Sequence, residues 1–518
     1  MTHRRLAAGL VSAVALLAGC ASPGATLQPI PLPYAFTAGE GGVRPVDPGT
    51  MARWWRTFDD PLLSEFVHIG LARNLQIQLA LAEIRAARAQ VRQATAGLLP
   101  SFDTPLQGSR IWRENPLADS TLGNAVGLGG STLRVDTWQA AIEGVWAPDI
   151  FGSIRTRRAA AGRLLGAAEA EAVAVRIAVA ANVVEAYLQI RGLLAQRGAL
   201  DELIAVARES ERATRGFFEL GAVTQLDVAA ASADRASAEA RRGELEAGLV
   251  AASFALDTLL DVAPGTARRR MGASGTIPLS AARIQTGQPI ELLQRRPDVI
   301  AATAGLDAAE LQALAARRDL FPQIGLAAGA SRMGVSLGDF SSTGNMANLA
   351  AQLAFPWLSP TTWAAIPTAD ADVERGFVGL RIAIATAVQE VEVATGQMEA
   401  RRQQQGAARN AVALQRERLA LARRTYETGF SNITEVLEAQ AGLLQARQSA
   451  IEAQLAFANA QVALWTALGG GWHVPGLTPP AVTLPSPQGL QTSVAAVRGD
   501  LSANPIPDRI RGTSVEAN

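Results

Sequence analysis

Residues 218–228 read FELGAVTQLDV, and 208 residues further on residues 426–436 read YETGFSNITEV. Each has an aromatic residue, an acid and then a glycine, with a threonine or asparagine three residues later. Glycine just past a helix end supplies the left-handed backbone that closes a helix. Thr or Asn three residues on offers a side-chain cap to the next one. Both stretches therefore read as the turn of a helical hairpin, with Gly221 and Gly429 in the turns and Thr224 and Asn432 as caps.

The flanks agree with this reading. There is no proline between Pro148 and Pro264, nor between Pro367 and Pro475, and Ala, Leu, Arg, Glu and Gln fill both gaps. That composition favours long helices. The first arm of each hairpin spans roughly 60 residues, or about 90 Å at 1.5 Å per residue. The register continues without gaps, since ALDTLL at 255–260 faces ALWTAL at 463–468. Upstream, at a different offset, Ala86, Ala87, Leu99 and Pro100 match Ala308, Ala309, Phe321 and Pro322. A period near 200 residues indicates a duplicated domain, not a solenoid of short repeats.

Each half also has a non-helical piece. Leu349, Ala351, Leu353, Phe355 and Trp357 alternate with Asn348, Ala350, Gln352 and Ala354, a period of two over the length of a membrane strand. Four strands are expected, at about 101–113, 132–147, 322–335 and 347–357. Five of the nine tryptophans (Trp112, Trp138, Trp146, Trp357, Trp363) lie in or beside them, as interfacial girdles do. A soluble hairpin with core tryptophans has the same pattern. Four strands cannot close a membrane barrel, and an open sheet in lipid leaves costly unpaired edges. Strands that cross a membrane must therefore be pooled among several chains.

The N-terminus reads as an export address. Two arginines precede an apolar stretch from Leu6 to Leu17, too short for a spanning helix. It ends in Leu17, Ala18, Gly19 and Cys20, the only cysteine. This layout is a secretory signal. Cys20 sits where a bacterial lipobox places the thiol that receives diacylglycerol and becomes the new, N-acylated (palmitate-bearing) terminus. Ala21 favours sorting to the outer membrane. No later segment offers about 18 uncharged apolar residues.

Composition narrows the chemistry. The chain has 518 residues with 47 basic and 47 acidic side chains, a balance that argues against nucleic acid as a partner. None of the basic residues is lysine, which removes lysine-based catalysis and the phosphate-loop lysine. One cysteine and three scattered histidines (His3, His68, His473) suggest neither a disulfide framework nor a metal cluster. No cofactor and no enzyme activity are expected.

The acids after the turns are the candidate functional groups. Glu435 and Glu438 are three apart and share a helix face. Symmetry would make any one of them a ring of carboxylates that attracts cations and marks a constriction. An ordinary helix start also favours acids through its dipole. Asp227, Glu435 and Glu438 are the gate candidates.

The stretches WWRTFDDPL (54–62), AARA (86–89), WAPDIFG (146–152), RRPD (295–298), Phe321-Pro322 and both glycine turns together resemble the TolC-like outer-membrane efflux proteins, in their NodT-type lipoprotein branch. The resemblance runs from about Trp54 to Leu468. It implies an α+β membrane protein and a homotrimer. Four strands per chain would form a shared twelve-stranded β-barrel continuing into a long α-helical coiled-coil periplasmic barrel, with a small equatorial domain. It also implies a periplasmic adaptor protein and an inner-membrane pump as partners, with docking and closure at the tips, and an acidic gate at the position of Glu438. The equatorial collar would combine residues near Trp54, 283–290 and the chain after Gly469. The expected divisions are a signal peptide (1–19), a lipidated segment with part of the equatorial domain (20–64), a first repeat (65–263), an equatorial linker (264–290), a second repeat (291–468), and a C-terminal equatorial segment and tail (469–518). One departure stands out: after the fourth strand the sequence reads FPWLSPTTW (355–363) where the family has a glycine-rich motif, so that strand-to-helix junction is expected to differ. The alternative reading is a periplasmic coiled-coil structural or adaptor lipoprotein that does not span the membrane.

Overall fold

A computed structural model describes residues 36, 47–114, 121, 132–273, 275–282, 284–337, 340–431 and 433–472. The expected signal peptide, Cys20, Arg283, Asn432, His473 and the tail lie outside the described residues.

Two long hairpins dominate. Helix α4 (Ser153–Glu219) turns into α5 (Gln225–Leu260), and α9 (Pro360–Glu427) turns into α10 (Ile433–Ala467). The first arms have 67 and 68 residues, about 100 Å each. The two helix starts differ, as the sequences around 149 and 359 suggest. At α4 the Asp149 carboxylate accepts from the backbone N–H groups of Ile154 (3.0 Å) and Arg155 (2.8 Å). At α9 no side chain caps the end. A 3-10 turn, Pro356–Leu358, leads into Pro360 at the first helical position, where its missing N–H costs nothing. Pro367 is then accommodated inside the helix.

Shorter helices brace the arms. The chain begins with α1 (Pro48–Ala52), a 3-10 turn at Trp54–Phe58, α2 (Pro61–Arg73) and α3 (Leu75–Ala96). The second half contributes α6 (Thr266–Met271), α7 (Pro289–Arg295) and α8 (Pro297–Arg318). Helix α8 is long and apolar enough to cross a membrane by composition. It instead packs along α4 and α9, and its Asp307 pairs with Arg163 of α4 at 3.4 Å. The duplication repeats one joint with different chemistry. Asn74, between α2 and α3, donates its amide to the Leu259 carbonyl near the end of α5 (2.8 Å). Arg296, between α7 and α8, donates to the Ala467 carbonyl at the end of α10 (3.0 Å) and pairs with Glu390 of α9 (2.7 Å).

The main core lies where these pieces meet. Trp54, Trp55, Phe58, Phe66, Tyr187 and Trp465 are buried together. Segments distant in sequence are stitched there: Gly471 N–H donates to the Met51 carbonyl (2.7 Å), Ala281 N–H to the Thr57 carbonyl (3.2 Å), and the Trp472 indole to the Arg295 carbonyl (3.2 Å). Tyr187 Oη donates to Asp60 Oδ2 (2.5 Å) and accepts from Arg191 Nε (2.9 Å) and Nη2 (2.6 Å). Burial and the Asp60 carboxylate push the Tyr187 hydroxyl well above the usual phenol range. His68 stands edge-on to the Trp55 ring.

The sheet contains β1 (Ser101–Asp103), β2 (Leu106–Glu114), β3 (Thr132–Trp146), β4 (Gln323–Leu337) and β5 (Phe340–Ala354), all antiparallel. β1 and β2 hold one unbroken register against β3, Asp103 opposite Glu143 and Leu106 opposite Ala140. They form one strand interrupted where Pro105 has no N–H to give, so the chain supplies four strands to the sheet. The fourth runs from 340 to 354 instead of 347 to 357. Its far end is polar and hides its start from an alternation search, while Pro356 stops the ladder although Phe355 and Trp357 continue the alternation.

Candidate functional site

Both hairpin tips are built the same way. Leaving α4, Ala222 N–H donates to the Phe217 carbonyl (2.8 Å) and Gly221 N–H to that of Phe218 (2.9 Å), with Gly221 at φ 72°. Leaving α9, Phe430 N–H donates to the Thr425 carbonyl (2.9 Å) and Gly429 N–H to that of Tyr426 (3.0 Å), with Gly429 at φ 78°. This paired closure needs a left-handed residue that glycine adopts without strain. Leu220, Leu226 and Phe430 stand exposed around the turns.

The three acids have different surroundings. Asp227 closes a capping box. Thr224 gives its N–H (2.8 Å) and hydroxyl (2.7 Å) to Asp227 Oδ2, and its Oγ1 receives the Asp227 N–H at 3.4 Å. These bonds, the Thr224 hydroxyl foremost, hold the Asp227 carboxyl below its usual range. Glu435 is the repeat counterpart of Asp227 and lies in the first turn of α10. Glu438 has no acidic counterpart, since the first half has Ala230 there. Glu435 and Glu438 are exposed and line, with Glu417, Arg418 and Leu421, an open groove of about 500 Å³ between α9 and α10.

Just behind the tips the hairpins are zipped by opposite means, a feature absent from the sequence expectations. Between α4 and α5, the largely buried Glu211 receives Ser232 Oγ (2.8 Å), Arg215 Nη2 (2.6 Å) and Arg235 Nε (2.6 Å). Arg235 also pairs with Glu239 at 2.9 Å, which is held by Arg208 as well. The Ser232 and Arg215 hydrogen bonds lead in keeping Glu211 below the usual glutamate range, and the Arg235 pair adds to them against the opposing effect of burial. Between α9 and α10 the same level is a small apolar cluster of Leu419, Val436, Ala439 and Leu443. At the 208-residue offset Leu419 replaces Glu211 and Leu443 replaces Arg235. Comparing the two halves position by position would have revealed the exchange. A close Arg447–Glu202 ion pair joins α10 to α4.

The sheet has two unlike faces. On β3, Trp146, Gly144, Ile142, Ala140 and Trp138 share one face, and the register adds Phe102, Leu106, Leu326 and Leu349 beside them. Most of these apolar side chains are open, Leu349 at 85% exposure. The other face has Glu143 and Gln139 of β3, with Gln107, Ser331 and Asn348 on neighbouring strands. Such a division suits a wall between lipid and a watery lumen. The outer strands β2 and β5 each keep one unpaired edge among the described residues. The described residues include no group of His, Cys, Asp and Glu able to hold a metal ion.

Comparisons with known proteins match this architecture. A family model described as outer membrane efflux protein covers residues 67–261 and 289–470. Nodulation protein T of Rhizobium leguminosarum bv. trifolii is 26% identical over 462 residues, spanning 88% of this chain and 96% of its own. The pyoverdine export outer membrane protein OpmQ of Pseudomonas putida is 28% identical, spanning 81% of this chain and 88% of its own. The solved outer-membrane channel OprN superposes with a TM-score of 0.70 at 23% identity, over 86% of this chain and 98% of that one, which is a likeness of fold.

Proposed function

The chain belongs to the outer membrane efflux protein family, and from that premise we propose that it is the passive exit duct of a tripartite efflux system. It acts as a homotrimer, three four-stranded sheets closing a twelve-stranded barrel and six hairpins forming the periplasmic tunnel. The observation that carries the reading is the union, in one chain, of an open sheet with one bare apolar face and two helical hairpins about 100 Å long. A lone sheet of this kind would leave unpaired backbone in lipid. A water-soluble hairpin would not leave Leu106, Trp112 and Leu349 so exposed.

Cys20 carries the diacylglycerol and N-acyl lipid that tethers the mature chain to the outer membrane, with the barrel as its second hold. The turns at Gly221 and Gly429 are the periplasmic tips. Their exposed Leu220, Leu226 and Phe430 suit docking to an adaptor, which links the duct to an inner-membrane pump. One relative is named for pyoverdine export, and a duct of this form carries small solutes selected by the pump.

Glu438 is the foremost gate candidate. Asp227 is engaged in a helix cap, and Glu435 occupies the equivalent position in the second half. Glu438 is present in one half only, with Ala230 at the matching position, and lies open to the groove near the tip. Three copies at the narrowing end crowd their carboxylates, favouring cations and divalent block. Single-channel recording from the purified trimer tests this. Glu438→Ala should raise conductance and weaken both cation preference and divalent block, and unchanged traces would remove Glu438 from the gate.

A further inference from the structure

The apolar face of the sheet changes character at the end far from the helices. From Trp146 to Trp138 is eight residues of β3, about 27 Å along the strand at 3.4 Å per residue, or some 20 Å of height at a tilt near 40°. Within that band the described residues of this face carry no acidic side chain, and its one cation, Arg332, lies level with Ala140 beside the Trp138 end. Immediately beyond come Arg110 and Asp136, directly paired across β2 and β3, then Trp112 opposite Arg134. The Trp138 indole lies over Gly334 of β4, occupying the space where a side chain would stand.

The arginines are organised. Asp136 Oδ1 accepts from Arg110 Nε (2.5 Å), and Asp136 Oδ2 accepts from Arg134 Nε (2.8 Å) and Nη2 (2.6 Å). One carboxylate thus fixes two guanidinium forks, yet the side chains of Arg110 and Arg134 remain 51% and 55% exposed. Neither uses Nη1 for Asp136. With Arg332, three guanidiniums stand against the carboxylates of Asp136 and, at the strand end, Glu114, an excess of one positive charge per chain. A preorganised guanidinium fork matches phosphate oxygens. Tryptophans at the same height belong at a headgroup boundary, and the apolar band directly beneath accepts acyl chains.

Resting on the reading that the sheet spans the outer membrane with its apolar face outward, we propose that this arginine–tryptophan rim binds the phosphorylated headgroup of a multiply acylated lipid in the outer leaflet. A free phosphate would use the forks alone. The band below the forks is what selects an amphiphile.

The test uses the full-length trimer purified in detergent. Native mass spectrometry and the temperature of trimer dissociation are measured with diphosphorylated lipid A, monophosphoryl lipid A, phosphatidylcholine or inorganic phosphate. Lipid A should be retained and raise the dissociation temperature, monophosphoryl lipid A should bind more weakly, and the other two should have little effect. The combined variant Arg110→Gln, Arg134→Gln, Asp136→Asn, Arg332→Gln should weaken lipid A retention at least tenfold while conductance in phosphatidylcholine bilayers stays at the wild-type value. Equal retention of lipid A and phosphatidylcholine by the wild type, full competition by inorganic phosphate, or an unaffected variant would each overturn the proposal. The wild-type comparison decides even if the variant assembles poorly. Absence of wild-type conductance would instead overturn the barrel reading beneath it.

Discussion

Replacing Leu443 with alanine isolates what keeps the second hairpin closed behind its tip. Leu443 is 6% exposed and packs with Leu419, Val436 and Ala439. The truncation removes three carbons, each worth about 0.8 kcal/mol on burial, or roughly 2.4 kcal/mol together. The cluster is small and close to the open groove, so the site can relax and the added cavity cost is slight. A loss of about 2.4 kcal/mol corresponds to roughly sixtyfold more frequent local opening. Hydrogen exchange read by mass spectrometry on the trimer should show that acceleration at amides of 412–425 and 433–445, with the first hairpin unchanged. The first hairpin responds instead to acid. The Glu211 carboxyl is held below its usual range, so its contribution is present above the unfolded value of about 4.3 and is lost as pH falls through the lower folded value. Moving from pH 6 to pH 3 should raise the opening around 211 and 235, measured as exchange relative to the intrinsic amide rate at each pH, while sparing the Leu443 cluster. Acceleration below about fivefold in Leu443→Ala would refute the assignment of the cluster as the zip. So would equal acid sensitivity in both hairpins.

Gly429→Val should impair adaptor cross-linking while leaving the trimer intact. Gly429 has φ 78° and open space where a Cβ would stand, so the cost is conformational, about 1 kcal/mol or more, and Gly429→Asn should be milder. Tyr187→Phe keeps the buried ring but strips the hydroxyl from Asp60 and Arg191. Urea unfolding should show a loss of about 1.5–3 kcal/mol, the range for hydrogen bonds to charged groups. The chain has no lysine, so N-acylation at Cys20 removes the last primary amine. An amine-reactive dye should therefore leave the mature protein unlabelled, and stoichiometric labelling would refute the N-acyl chain.

The hairpins were legible because their signals are local: proline-free alanine-rich runs, and glycines whose backbone conformation the turns require. The strands were legible in number but not in length. Asn345, Thr343 and Ser341 continue the face of Leu349 and Leu353, but Asn345 and Thr343 stand level with Ala140 and Trp138 at the edge of the apolar band and Ser341 lies beyond it, so hydrophobic alternation does not find them. Pro105 interrupts hydrogen bonding without shifting the register, which alternation also does not register. Among the gate candidates, spacing grouped Asp227 with the two glutamates, and only the geometry shows its carboxylate engaged with Thr224. The RRPD stretch was recognisable as a motif, whereas the reach of Arg296 to Ala467 and Glu390 depends on tertiary contacts among α7, α9 and α10. The exchange of Glu211 and Arg235 for Leu419 and Leu443 was written in the sequence and became visible once the helices were paired.

The break between the two strand hairpins has a consequence of its own. The halves match at an offset of 222 residues up to the first strand of each hairpin, Ser101 against Gln323, and at 208 from the end of the second, Trp146 against Ala354. The difference arises in the connection, 115–131 between β2 and β3 against 338–339 between β4 and β5, offset by the one residue by which β4 exceeds the stretch 101–114. In the proposed trimer, three chains would give a wall of six hairpins that is nearly sixfold and returns to threefold only at the ends away from the helices, where long and short connections would alternate. The two strand hairpins differ in length at this one place, the end of the sheet away from the helices. An epitope tag or a recognition sequence belongs between Glu114 and Thr132, and the same insertion between Leu337 and Phe340 would pry apart a hairpin that has no slack to give.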